Sequence, residues 1–189
     1  MKKIAIFISG TGTNAQRIMD RFSRHDQIQV SCLVSTKPNS EVAKTCKDLN
    51  VNYIESRFSE LEYEGILDQL DDLAIEWVVL AGFLKKIPHV ILRQFPRRII
   101  NLHPSLLPKF GGKGMYGMHV HRAVIEAKEK ESGITIHYVN EHYDEGKIIE
   151  QIRTPVYASD DSKTLFERIR QLEADHFPRV VEQEVIKNG

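Results

Sequence analysis

The chain has 189 residues with 26 acidic and 26 basic side chains, so its formal net charge is zero. This balance gives no overall field to attract nucleic acid, and any phosphate must be bound by local geometry. Cys32 and Cys46 suit packed thiols in a reducing cytoplasm and do not indicate a disulfide or zinc framework. No apolar run reaches the roughly 18 residues of a membrane span, and the N-terminal run predicts a strand rather than a signal peptide.

Short β-branched runs alternate with helical patterns over the first hundred residues. The predicted strands are 3–9, 29–35, 51–55, 77–81 and 98–102, and the predicted helices are 13–25, 40–49 and 61–74. This alternation is typical of βαβ units, so we expect a mostly parallel sheet with helices on both faces.

The pattern changes after Gly133. Apolar and polar residues alternate over 134–139, and a second strand over 147–156 follows the turn-like 143–146. These segments predict an antiparallel hairpin, and Asp161 with Ser162 is expected to cap a final helix. The predicted fold class is therefore α/β, with an antiparallel C-terminal extension, in a single domain over 1–189.

A glycine turn follows the first predicted strand, with the sequence SGTGTNA over 9–15. Glycines there let the backbone approach a phosphate, and the following helix supplies N–H donors. The acidic residue that a dinucleotide ribose would need is absent from the VSTKP segment at 34–38. Gly12, Thr13 and Asn14 therefore suit a terminal phosphate, against the alternative of a tight turn that binds nothing.

Asn101 and His103 are separated by one residue on an extended segment, so both side chains can face one pocket. A carboxamide beside an imidazole can stabilise an oxyanion and move protons, although an ordinary turn residue and a satisfied histidine fit the spacing equally well. Asp144 in the later turn could approach His103 and would then raise the pKa of the imidazole. Alone, Asp144 is more often an ordinary turn residue.

The stretches NLHPSLLP at 101–108 and YDEG at 143–146 resemble the signatures of the folate-dependent formyltransferases. SGTGTN at 9–14 and AGF at 81–83 make the resemblance strongest to members that act in purine biosynthesis, and similarity runs along the whole chain. The resemblance implies a Rossmann-like fold. It also implies that 10-formyltetrahydrofolate, as co-substrate, gives its formyl group to the amine of glycinamide ribonucleotide by direct attack, without a metal.

The resemblance also assigns roles by position. It makes His103 the general acid, Asn101 the group that binds the oxyanion, and Asp144 the residue that tunes His103, and it places His137 near the site. It implies that residues 1–100 form the ribonucleotide-binding half and residues 101–189 the catalytic and folate-binding half. The implied ribonucleotide contacts are Gly12, Thr13, Asn14 and Glu173. The implied folate contacts are Leu84, Lys85, Lys86, Ile87, Asn101, Asn140, Glu141, His142, Tyr143 and Asp144.

Simpler interpretations stand beside several of these roles. Glu173 could be a solvated helix carboxylate, Leu84 and Ile87 ordinary core, and His137 a cross-strand packing residue. His119 and His121 are poorly spaced for a metal site and fit a structural helix start better.

The sequence departs from the family pattern in two places. The glycine-rich segment 111–117 is longer than usual, and its flexibility suits a lid over substrate. The segment 58–61 offers no clear counterpart to a folate-contacting arginine, although Arg57 is near.

Three other functions are alternatives to formyl transfer to glycinamide ribonucleotide. Family members that formylate methionyl-tRNA carry a further C-terminal domain, and members that hydrolyse 10-formyltetrahydrofolate usually carry an N-terminal regulatory domain. A non-catalytic nucleotide-binding module would not need Asn101, His103 and Asp144 together. The expected partners are small molecules, with no nucleic acid or membrane, and the protein is expected to be a monomer or homodimer.

Overall fold

The structure is a computed structural model and describes residues 1–188. The strands are β1 (Lys2–Ile8), β2 (Ile28–Ser35), β3 (Asn52–Glu55), β4 (Trp77–Leu80), β5 (Ile99–His103), β6 (Glu131–Tyr138) and β7 (Ile148–Pro155). The helices are α1 (Thr13–Phe22), α2 (Ser40–Asp48), α3 (Tyr63–Asp72), α4 (His89–Gln94), α5 (Met118–Glu126) and α6 (Ser162–Lys187). A single 3-10 turn at Glu60–Glu62 precedes α3.

The strands form one sheet in the order β3-β2-β1-β4-β5-β6-β7. β1 pairs in parallel with β2 and β4, and β2 pairs in parallel with β3. β6 and β7 pair antiparallel. The strand order reverses between β1 and β4, which is the point where open α/β sheets bind ligands. The predicted α/β class with an antiparallel C-terminal extension is confirmed.

Residues 1–100 form one compact unit together with residues 181–188. Its core follows from the sequence of β1, where Ile4–Ile8 has no exposed surface. A strand that is covered on both faces needs an unbroken apolar run rather than alternation. The β4 run of Trp77–Leu80 is at most 4% exposed for the same reason.

Residues 101–180 form the second compact unit. It contains the β6–β7 hairpin, α5 and most of α6. The predicted cap is confirmed for Asp161, whose Oδ1 accepts hydrogen bonds from the Lys163 and Thr164 N–H groups at 2.9 and 2.8 Å, whereas Ser162 is the first residue of α6.

Most predicted elements differ from the structure by a few residues at their ends, and one helix was missed. The helix predicted over 13–25 ends at Phe22, because His25 Nδ1 instead accepts hydrogen bonds from the Gln27 and Ile28 N–H groups at the start of β2. The short helix α4 was not predicted at all. Over residues 1–188, none of the helices has both the length and the apolar character that a bilayer crossing requires.

Candidate functional site

Asn101 and His103 lie at the end of β5, where the alternation of side chains places them on one face. Asn101 is half-buried, whereas His103 keeps only 4% of its surface exposed. Pro104 disfavours the helical region for His103 and so supports its extended backbone. The imidazole therefore stands on a rigid strand rather than on a mobile loop.

Asp144 lies beside His103, although the two are distant in sequence. Its Oδ2 atom is 3.5 Å from His103 Nδ1 and accepts a hydrogen bond from the Gly112 N–H at 2.8 Å. The side chains of His103 and Asp144 are only 5% and 11% exposed. The turn aims this carboxylate with a left-handed backbone at Asp144, where φ is 58°.

His137 connects Asn101 with Asp144. Its Nε2 atom is 3.0 Å from Asn101 Nδ2 and 3.7 Å from Asp144 Oδ1. The ring is 1% exposed. We call Asn101, His103, His137 and Asp144 the imidazole–carboxylate cluster.

The buried cluster sets the pKa of His103 differently from the sequence-based expectation. Burial lowers the pKa of His103, and this effect outweighs the Asp144 charge and the contact with the Phe110 carbonyl, which both raise it. The expected effect of Asp144 is confirmed in direction, but burial was not anticipated, because sequence spacing does not report desolvation. Burial acts to raise the pKa of Asp144, but the His137 and His103 rings, when protonated, and the Gly112 N–H together lower it.

Two backbone groups in this site were missed by sequence reasoning. His103 Nε2 is 2.8 Å from the carbonyl oxygen of Phe110, so this nitrogen carries a proton and donates it. Phe110 has a left-handed backbone, with φ of 55°. The second group is the Gly112 N–H on Asp144. Backbone contacts of this kind depend on the path of the loop, and no residue type in the sequence marks them.

The cluster combines three chemical abilities in a small space. Asn101 offers amide N–H groups, His103 can take and release a proton, and Asp144 supplies negative charge beside the ring. This combination suits a reaction in which an oxygen becomes negatively charged while a proton is transferred.

In the first unit, the glycine turn lies at the carboxyl ends of β1 and β4. Gly12 has a left-handed backbone with φ of 77° and precedes the first residue of α1, Thr13. The Ser9 N–H donates to the Gly82 carbonyl at 3.0 Å, and the Ser9 hydroxyl accepts from the Leu84 N–H at 3.0 Å. The turn and the 84–87 segment are therefore held side by side, where N–H groups at the start of α1 can meet an anion.

Asn39 fixes this turn through its side chain. Its Nδ2 donates to the carbonyl oxygens of Gly10 and Thr11, both at 3.2 Å, and its Oδ1 accepts from the Val42 N–H at the start of α2 at 3.1 Å. One amide thus caps a helix and also ties down the glycine turn. No motif in the sequence marks this role.

Replacing Asn39 with alanine is expected to lower the free energy of unfolding by about 1–2 kcal/mol, since a cap and two further hydrogen bonds are lost. Urea unfolding of the variant beside Ser40→Ala, a change at the neighbouring exposed residue, measures the difference. Equal stability of the two variants would contradict the structural role of the Asn39 amide.

The other residues assigned by resemblance are divided between the units. In the first unit, Leu84, Lys85 and Lys86 are exposed, whereas Ile87 is buried. The simpler interpretation as core residues therefore fits Ile87 but not Leu84. In the second unit, Asn140, Glu141, His142 and Tyr143 form the exposed turn that leads to Asp144. Glu173 lies half-buried on α6.

His121 is buried on α5 in the second unit, and its ring packs edge-to-face against Phe166 with the ring centroids 5.4 Å apart. Its Nδ1 has no hydrogen-bond partner among the described residues. Burial, and then the nearby His103, lower the pKa of His121 to about 4. A neutral structural histidine agrees with these contacts.

His121 is expected to make the fold acid-sensitive. The pKa of His121 is about 4 in the folded protein and about 6.5 in the unfolded chain. Because the unfolded chain binds the proton more tightly, the free energy of unfolding is at its full value above pH 6.5 and decreases as the pH falls to 4. The loss amounts to about 3 kcal/mol. Chemical unfolding at pH 7.5 and pH 4.5 should show a smaller pH effect for His121→Leu than for the wild type. His119→Leu, a change at an exposed residue of the same helix, should keep the wild-type difference in unfolding free energy between the two pH values. If His121→Leu also keeps that difference, His121 is not the source of the acid sensitivity.

Residues 2–181 match the formyl transferase family. A Haemophilus influenzae protein named phosphoribosylglycinamide formyltransferase is 35% identical over 187 residues, which cover 96% of this chain and 86% of the relative. A chloroplastic protein of the same name from Vigna unguiculata is 40% identical over 189 residues, with 96% of this chain covered. The chain spans 60% of the length of that plant relative and 64% of the one from Arabidopsis thaliana.

Solved structures agree with this match. The crystal structure of phosphoribosylglycinamide formyltransferase from Bacillus halodurans is 33% identical, with a TM-score of 0.87 over 100% of this chain and 97% of that one. A formyltetrahydrofolate deformylase from Pseudomonas syringae also superimposes, with a TM-score of 0.86 over 98% of this chain and 62% of that one, but its 20% identity supports the fold alone.

Proposed function

The chain belongs to the formyl transferase family, and from this we propose that it transfers the formyl group of 10-formyltetrahydrofolate to the amine of glycinamide ribonucleotide. The products are formylglycinamide ribonucleotide and tetrahydrofolate, as in de novo purine biosynthesis. The names of the relatives from Haemophilus influenzae and Bacillus subtilis support this acceptor. The observation that carries the proposal is the contact network of the imidazole–carboxylate cluster.

In the proposed mechanism, the amine nitrogen attacks the formyl carbon directly and the formyl oxygen takes up negative charge. Asn101 has two N–H groups on Nδ2, of which His137 engages one. The other is available to the developing oxyanion. A donor already in place stabilises the four-coordinate carbon without reorganisation.

His103 handles the proton in this scheme. The attacking amine must lose a proton and the leaving folate nitrogen must gain one, so a proton passed through His103 as general acid balances the step. Asp144 beside the ring stabilises the charged imidazolium while the proton is in transit. His103 Nε2 must leave the Phe110 carbonyl to reach the reacting nitrogens.

Binding of the two substrates is assigned to the remaining residues. Gly12, Thr13 and Asn14 would hold the ribonucleotide phosphate at the start of α1, and Glu173 would contact the same substrate. The folate would be bound by the segments 84–87 and 140–144. The positive φ of Gly12 supports the phosphate role, because it turns the backbone at the first N–H groups of the helix.

An assay with defined acceptors tests the function. The purified protein is mixed with 10-formyltetrahydrofolate and either glycinamide ribonucleotide, water alone, or methionyl-tRNA, and folate product is followed by absorbance. We expect rapid product only with glycinamide ribonucleotide. Product at the same rate without an acceptor would identify a hydrolase, and product only with methionyl-tRNA would identify a tRNA formyltransferase.

A cytoplasmic location and a monomeric or homodimeric state complete the proposal. Cys32 and Cys46 are both free thiols, which suits a reducing compartment. Two plant relatives are named as chloroplastic proteins, so localisation of a fluorescent fusion is the decisive measurement. Light scattering would establish the oligomeric state.

A further inference from the structure

The hydrogen bonds of His137 define which of its nitrogens carries a proton. Nδ1 lies 2.8 Å from the carbonyl oxygen of Tyr138, and a carbonyl oxygen can only accept. Nδ1 is therefore protonated. In the neutral ring Nε2 then has a free lone pair, and this atom lies 3.0 Å from Asn101 Nδ2.

This tautomer controls the orientation of the Asn101 amide. The nitrogen and oxygen of a side-chain amide are nearly equal in size, so packing alone does not decide which way the group points. An acceptor at His137 Nε2 attracts the amide nitrogen and not the oxygen. The second N–H on Nδ2 is then directed by the first, because both belong to one planar group.

The position of His137 is itself tightly constrained. The ring is 1% exposed, and the pairing of β6 with β7 shifts register between Ile136 and His137. The extra residue is Ile149 on β7, so the regular ladder of hydrogen bonds is interrupted opposite His137. A Cβ added at Gly146 would lie 3.4 Å from His137 Nδ1, so the turn closes tightly on the ring.

We infer that His137 is a positioning residue, which in its neutral, Nδ1-protonated form turns the Asn101 amide nitrogen toward the oxyanion. This inference rests on the proposed function for the identity of the oxyanion. The ionisable groups of the cluster that face the ring are Asp144, with Oδ1 3.7 Å from Nε2, and His103. A proton added to Nε2 would reverse the polarity of the contact and favour the amide oxygen instead.

A pair of substitutions separates positioning from packing. His137→Gln can place an amide oxygen where Nε2 now accepts, whereas His137→Leu fills the space without an acceptor. We expect His137→Leu to lower kcat by about 10- to 100-fold with KM nearly unchanged, because a small misplacement of a catalytic group costs up to about 100-fold. His137→Gln should recover most of the rate. Equal loss in both variants, or full kcat in His137→Leu, would overturn the inference.

Matched changes at His176 on α6 serve as the control. His176 Nδ1 has no partner within residues 1–188, so His176→Leu and His176→Gln should not differ in kcat. Circular dichroism of all four variants confirms that each one is folded. A Leu–Gln difference at His176 as large as that at His137 would also overturn the inference, because it would report a general effect of the substitution.

Nitrogen-15 NMR of the free protein tests the inference without any reaction. The histidine ring signals of His137 should show protonated Nδ1 and unprotonated Nε2 near pH 7.5, and the Asn101 side-chain amide signals should move in His137→Leu more than in His137→Gln. Protonated Nε2 with bare Nδ1 would contradict it. A wild-type protein that shows the expected NMR signals but no formyl transfer would overturn the proposed function and leave the positioning of Asn101 intact.

Discussion

Replacing His103 with alanine is expected to lower kcat by about 10²- to 10⁴-fold, the usual contribution of a positioned general acid or base. The ring is buried at the end of β5, with Nδ1 facing Asp144 at 3.5 Å and Nε2 on the Phe110 carbonyl at 2.8 Å. Alanine removes the only proton-transfer group of the cluster that the proposed mechanism uses. The amine and the folate nitrogen would then have to exchange protons through water.

Initial rates at saturating 10-formyltetrahydrofolate and glycinamide ribonucleotide measure this loss. Calorimetry with the ribonucleotide should give nearly unchanged affinity, because His103 is not assigned to phosphate binding. His176→Ala is the control for removal of a histidine and should retain wild-type turnover. Full turnover by His103→Ala would remove His103 from the mechanism.

The largest loss of stability is expected from Gly146→Ala, at about 3 kcal/mol or more, since a rigid backbone atom occupies the new methyl position. A Cβ at Gly146 would lie 1.6 Å from the Tyr138 carbonyl oxygen and 2.7 Å from its carbonyl carbon. Neither atom can move without disturbing the end of β6. The Tyr138 carbonyl also accepts from His137 Nδ1, so the change should disturb the cluster as well as the hairpin.

Gly65→Ala is the matched control, because a Cβ there would meet nothing within 4 Å. Gly65 lies within α3, where alanine should raise stability by about 0.5–1 kcal/mol. Thermal and urea unfolding of both variants beside the wild type gives the comparison. A Gly146→Ala protein as stable as the wild type would show that the β6–β7 turn can open at little cost.

The sheet could be predicted from sequence because its signals are local. The buried strands β1 and β4 are continuous apolar segments in the sequence. Asp161 indicates the start of α6, because its side chain accepts hydrogen bonds from the first N–H groups of the helix. The helix α4 was not predicted, because its six residues are too few to show a helical periodicity of apolar residues. The end of α1 was placed too late because the His25 ring, and not a helix-breaking residue, receives the next N–H groups.

The candidate site was predictable only in part. The spacing of Asn101 and His103 predicts a shared face. Asp144 was a candidate from its turn, with its role supplied by the family resemblance, and the structure places it beside the imidazole. The Phe110 carbonyl and the Gly112 N–H were missed because backbone groups carry no residue-specific signal. The net lowering of the His103 pKa was not anticipated, because it depends on how much water the fold excludes.

The amino-acid sequence by itself determined the order of strands and helices and the residue types available for chemistry, because these follow from periodicity and from side chains a few residues apart. Only the tertiary structure decided which nitrogen of His137 carries a proton, which N–H groups hold Asp144, and how strongly burial acts on His103. Those properties depend on distances between segments far apart in the chain and on exclusion of water. Hydrogen bonds and charge stabilisation change over fractions of an ångström, and sequence spacing does not fix distances on that scale.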